Sequence, residues 1–61
     1  MYYQAEIENL PVTPDNIGHH VEFRTDDQPA VILGTNGQYI EVMDLATEEV
    51  FSVHGSQVRW I

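Results

Sequence analysis

Apolar residues recur at every second position through most of this chain, the period of strands that bury one face. The clearest stretch is "VILGTNGQYIEV", residues 31–42, in which two β-branched runs flank Asn36-Gly37. An Asn-Gly pair suits a type I′ hairpin turn, whose two central residues both need positive φ. With that pair at the centre, Leu33 pairs with Ile40 and Val31 with Val42, and these side chains form the core face. The opposite face sets Ile32 beside Glu41, Gly34 beside Tyr39 and Ala30 beside Met43, with the Tyr39 ring over the bare Gly34 backbone. A slip by one residue would carry Glu41 into the core, so the register is strongly specified.

Other segments repeat the alternation. "HHVEFR" predicts Val21 and Phe23 inward with Glu22 and Arg24 outward; "EVFSVH" predicts Phe51 and Val53 inward; "QVRWI" sets Val58 and Trp60 on one side. Turns fall at residues 26–29 and, more loosely, at 45–49, and "HGSQ" fits a tight turn or a single 3₁₀ turn. Near the start, Tyr3, Ile7 and Leu10 suit a helix face, but Tyr3, Ala5 and Ile7 also alternate with Gln4, Glu6 and Glu8, and Pro11 and Pro14 follow closely, which favours a strand. "TPDN" then reads as a one-turn cap, with Thr13 as N-cap and Pro14 in the first helical position. The expectation is an all-β fold of five to six short antiparallel strands forming one domain over residues 1–61.

In order, the strands from "IGHHVEF" through "AVILGTNGQYIEV" to "FSVHGSQVRWI" resemble the SH3-like small β-barrel shared by SH3, Tudor and KOW modules. The resemblance covers about residues 17–61 and is one of pattern. It implies a small barrel whose last strand follows a 3₁₀ turn. The Ala-Leu-Tyr-Asp-Tyr signature of proline-binding SH3 domains is missing, as is the basic loop of KOW modules. Polyproline and RNA recognition are therefore not implied, and a superfold hosts many unrelated tasks.

Charge narrows the function classes. Ten Asp and Glu face two arginines and no lysine, a net charge of −8. Proteins bind phosphate backbones through Lys and Arg that displace counterions, so direct contact with nucleic acid or anionic lipid is excluded. The longest apolar run, "AVIL", is far short of the roughly 20 residues that span a bilayer. The first residues lack the charged, apolar and small-residue regions of a signal peptide, and there is no cysteine for a disulfide framework. A soluble, cytoplasmic protein is expected.

No enzyme motif is present and no cofactor is expected. Ser52, Ser56 and His54 resemble nucleophile chemistry only by residue type. His19 and His20 point to opposite faces of a strand, and His54 could meet one of them across the sheet beside Asp44, but no metal-ligand spacing occurs, so no metal is assigned. Two features carry an interaction role. One is the aromatic set Tyr2, Tyr3, Tyr39 and Trp60, the last expected to plug the end of the barrel. The other is an array of carboxylates on outer faces: Glu6 and Glu8 about two strand rises apart, with Glu22 and Glu41.

The reading that follows is a small acidic, non-enzymatic interaction module. It binds a protein with a basic surface through Tyr39, Ile32, Met43, Glu41, Glu22, Glu6 and Glu8. Two alternatives remain. The carboxylates could imitate a phosphate backbone and inhibit a DNA- or RNA-binding protein of viral or mobile-element kind. Or the chain could be a structural subunit, a monomer or small homo-oligomer that associates through an exposed edge strand or the Ile32 face.

Overall fold

Pairing with two neighbours forces one strand at the centre of this fold to break its own alternation, and that break decides which side chains form the core. The computed structural model describes residues 4–61. It is all-β, with seven strands in two antiparallel sheets. β1 (Glu6–Ile7) and β2 (Leu10–Pro11) form a small hairpin. β3 (His20–Phe23), β4 (Pro29–Asn36), β5 (Tyr39–Asp44), β6 (Val50–His54) and β7 (Val58–Trp60) form a sheet in the order β6-β5-β4-β3-β7. Two three-residue 3₁₀ turns, Pro14–Asn16 and Gly55–Gln57, complete it. No helix among the described residues is long and apolar enough to cross a membrane.

The order of the large sheet fixes its shape. β6 and β7 lie at opposite edges, so in a flat sheet they would stand about 19 Å apart, four gaps of roughly 4.8 Å. Yet only Gly55–Gln57 joins them, and 3₁₀ residues advance about 2 Å each. The sheet must curl until its edges approach. It does not close into the expected barrel: no ladder links β6 to β7. β1 instead packs against this 3₁₀ turn and β7, and Ala5, Ile7 and Val12 from the N-terminal segment join the core.

The β4–β5 hairpin departs from the expected register in two steps. Its two-residue loop is Gly37-Gln38, with Asn36 opposite Tyr39 and Thr35 opposite Ile40. Gly37 alone has positive φ, +63°, the pattern of a type II′ turn with glycine first. Asn36 stays in β4, so neither Asn36 nor Gln38 has to adopt the left-handed region. This moves the pairing by two residues and leaves the faces unchanged. The second step is a bulge at Leu33, between the pairs Ile32–Val42 and Gly34–Glu41. The hairpin turns the odd-numbered residues of β4 inward, whereas pairing with β3 sets Ala30 against the buried Val21. One extra residue reconciles the two, and bulges also sharpen local curl.

The consequence is a corrected core. Ala30 and Ile32 are fully buried, while Leu33 is 42% exposed and Val31 half-buried. Ile40, Val42, Val21, Val53 and Val58 are buried as the alternation predicts. Phe51, expected inside, is 40% exposed although it shares the inner face with its neighbour Val42. Tyr39 does not cover Gly34: it stands opposite Asn36, and nothing lies within 4 Å of where a Cβ on Gly34 would be.

The Gly37 position yields a simple expectation. An added methyl would meet nothing within 4 Å, so Gly37→Ala carries only the strain of a side chain at positive φ in this turn, about 1–3 kcal/mol. A thermal melt should show a loss of roughly 5–20 °C.

The N-terminal strand is shorter than the alternation suggests because it folds back at once. Glu8 and Asn9 both take positive φ, 53° and 67°, the requirement of a type I′ turn. Asn9 tolerates this conformation. Glu8 is anchored there, its carboxylate accepting the Trp60 backbone N–H at 2.9 Å. The Trp60 indole N–H donates to the Ile7 carbonyl at 2.9 Å, and the ring packs partly buried against the core. Thr13 and Pro14 open the first 3₁₀ turn as expected; the Thr13 N–H donates to Asn16 Oδ1 at 2.8 Å.

Candidate functional site

The outer face of β4, β5 and β6 is where the expected partner-binding residues can be tested one by one. Alternation on β5 points Tyr39, Glu41 and Met43 away from the buried Ile40 and Val42. Their cross-strand partners set the surroundings: Tyr39 lies between Asn36 and His54, Glu41 between Gly34 and Ser52, Met43 between Val31 and Val50. Tyr39 is 50% exposed and meets the His54 ring edge to face, centroids 6.1 Å apart. Val50 is 56% exposed, and Leu33 is pushed out by the bulge.

Glu41 has a distinctive setting. One neighbour has no side chain and the other is a small serine, so its carboxylate stands free in a partly apolar surface. Among the described residues no cation meets it. The chain's two arginines are engaged elsewhere: Arg24 Nε donates to the Val58 carbonyl at 3.2 Å, and Arg59 Nε donates to Glu22 at 2.8 Å while its other end reaches Asp27. Hydrogen bonding to Glu22, reinforced by Asp27, raises the Arg59 pKa further above its usual range.

The remaining expected residues separate from this face. Ile32 is in the core and cannot touch a partner. Glu22 is held by Arg59. Glu8 lies in the N-terminal turn and not on a strand, bound to Trp60, so Glu6 and Glu8 do not form the paired projection expected. Glu6 is exposed beside a polar hollow of about 440 Å³ shared with Gln4, Asn9, Gln38 and His54. Tyr2 and Tyr3 lie outside the described residues. The alternation of β4 hid Val31 and Leu33 as surface residues, and nothing short of the bulge would have revealed them.

The histidines do not assemble. His19 packs edge to face against Trp60 at 5.1 Å, His20 pairs with Val31, and His54 caps the second 3₁₀ turn, its Nδ1 accepting the Ser56 N–H at 3.2 Å. Ser56 Oγ lies 3.0 Å from the same nitrogen, which this capping role already occupies. Among the described residues no group of three His, Asp or Glu side chains could hold a metal ion.

A second concavity, about 380 Å³, opens on the inner side of the sheet between Phe23, Phe51, Val53, Asp26, Asp44 and Gln57. The Phe23 and Phe51 rings meet edge to face at 6.0 Å. Compared with family models, curated proteins and solved structures, the chain matches none.

Proposed function

We propose that this chain is a small acidic, non-enzymatic interaction module that binds a basic protein partner through the outer face of β4–β6. The observation that carries the reading is the Glu41 carboxylate, which no cation meets among the described residues, framed by Gly34 and Ser52 and flanked by Tyr39, Leu33, Met43 and Val50. An apolar surface with a free anion at its centre suits a partner segment that offers an aliphatic side chain and a Lys or Arg together. The ring of Tyr39 adds a surface over which a cation is attracted. A chain of net charge −8 also steers basic partners toward itself. The meander whose last strand returns through a 3₁₀ turn to pair with β3 supports reading the fold as a partly open SH3-like barrel.

The competing reading, imitation of a phosphate backbone, draws less support from the geometry. Of its four carboxylates, Glu8 and Glu22 are taken by Trp60 and Arg59, and Glu6 and Glu41 belong to different sheets.

The test is titration of the isotope-labelled chain with short peptides that alternate Lys or Arg with Leu. Amide shifts should concentrate at Tyr39, Glu41, Met43 and Val50. Tyr39→Ala and Glu41→Arg should each weaken binding about tenfold, near 1.4 kcal/mol, and added salt should weaken it too. Shifts centred elsewhere, or equal binding by both variants, would refute the assignment.

A further inference from the structure

Among the described residues β6 is an edge strand with none of the features that normally keep edges apart. Its residues, Val50-Phe51-Ser52-Val53-His54, include no charge, no proline and no glycine, in a chain of net charge −8. Native sheets usually blunt such an edge with lysine, proline, a bulge or a covering segment. Every residue of β6 except Val53 is exposed, the hydrophobic Val50 and Phe51 at 56% and 40%, and the β5–β6 pairing runs without a bulge.

The ladder shows which backbone groups are free. The Asp44 N–H donates to the Glu49 carbonyl at 2.8 Å. Hydrogen-bonded pairs alternate along antiparallel strands, so Phe51 and Val53 turn their backbone groups toward β5 while Val50, Ser52 and His54 turn theirs outward. The His54 N–H is already taken, donating to Gln57 Oε1 at 2.9 Å. The available edge therefore consists of Val50 and Ser52.

We propose that this edge pairs with a second copy of the chain, antiparallel, about a two-fold axis at Phe51. In that register Val50 lies opposite Ser52 of the second copy and Ser52 opposite its Val50, and each pair exchanges both N–H···O bonds without disturbing the His54 cap. Phe51 then faces Phe51 of the second copy at a non-hydrogen-bonded position, where side chains come closest. Both rings point to the inner face, beside the 380 Å³ hollow that already holds the Phe23–Phe51 contact. The arrangement is isologous, as a closed dimer requires. A second copy fits better than a basic strand because β6 carries no carboxylate to select one. The remaining acids of the two copies repel, so salt strengthens the association.

Sedimentation equilibrium at low and high salt tests the proposal directly. The average mass should rise with concentration toward twice that of the chain, more readily at high salt, and the amides of Val50 and Ser52 should gain protection from hydrogen exchange over the same range. Ser52→Pro removes an outward N–H while leaving the β5 ladder intact, and Val50→Glu places a charge on the seam. Both variants should retain the wild-type circular dichroism spectrum and sediment as monomers. A wild-type chain that stays monomeric at every concentration, variants that associate as wild type does, or growth beyond two copies would each overturn the proposal. The prediction does not depend on the basic-partner reading, whose peptide titration can fail or succeed separately.

Discussion

Gly55→Ala is expected to dislodge the N-terminal hairpin and destabilise the protein by about 3 kcal/mol or more, the upper range for forced overpacking. A methyl group at residue 55 would sit 1.6 Å from the Glu6 carbonyl oxygen and 2.8 Å from its carbon. Both are backbone atoms, so no rotamer change relieves the overlap. Either the 3₁₀ turn or β1 must retreat, and β1 takes with it Ala5 and Ile7, both essentially inaccessible to solvent. A domain of this size draws roughly 3–5 kcal/mol from its core, so the loss is comparable to the whole margin. Chemical denaturation measures it. Ser56→Ala, one residue away and exposed, is the control and should cost less than about 1 kcal/mol. A Gly55→Ala protein with the wild-type midpoint would mean that β1 does not press on the turn.

The second large effect is a reversal between adjacent residues. Ile32→Ala should cost about 2–5 kcal/mol, the range for truncating a buried aliphatic side chain. Leu33→Lys should stay within about 0.5 kcal/mol, as for surface substitutions. Uninterrupted alternation from the hairpin predicts the opposite order. Equal or inverted losses in urea melts of the two variants would place the bulge elsewhere or remove it.

That reversal also marks how far the chain could be read from its residues. β5 was legible because Glu41 between Ile40 and Val42 allows only one inward face. β3, β6 and β7 followed from the same alternation, and "HGSQ" from its glycine and small polar residues. β4 was not legible, because Ala30-Val31-Ile32-Leu33 is apolar at every position and either phase satisfies the pattern. Only the demand of two neighbours, Val21 on one side and Val42 on the other, selects Ala30 and Ile32. The site inherited that error: Ile32 left it, and Val31 and Leu33 entered. The N-terminal hairpin was missed for another reason. Glu8 is a poor residue for positive φ, and it is held there by Trp60, far along the chain.

The two bonds from Trp60 to Glu8 and Ile7 span 52 and 53 residues, nearly the full length of the chain. Closing so large a loop costs more entropy than forming the β4–β5 hairpin, whose pairing is local. The seam is therefore expected to form late and open early, which hydrogen exchange at the Trp60 amide, compared with the amides of the β4–β5 hairpin, checks. A contact formed that late would set the lifetime of the native state more than the speed of reaching it. Trp60 in effect latches the small hairpin onto the edge of the large sheet.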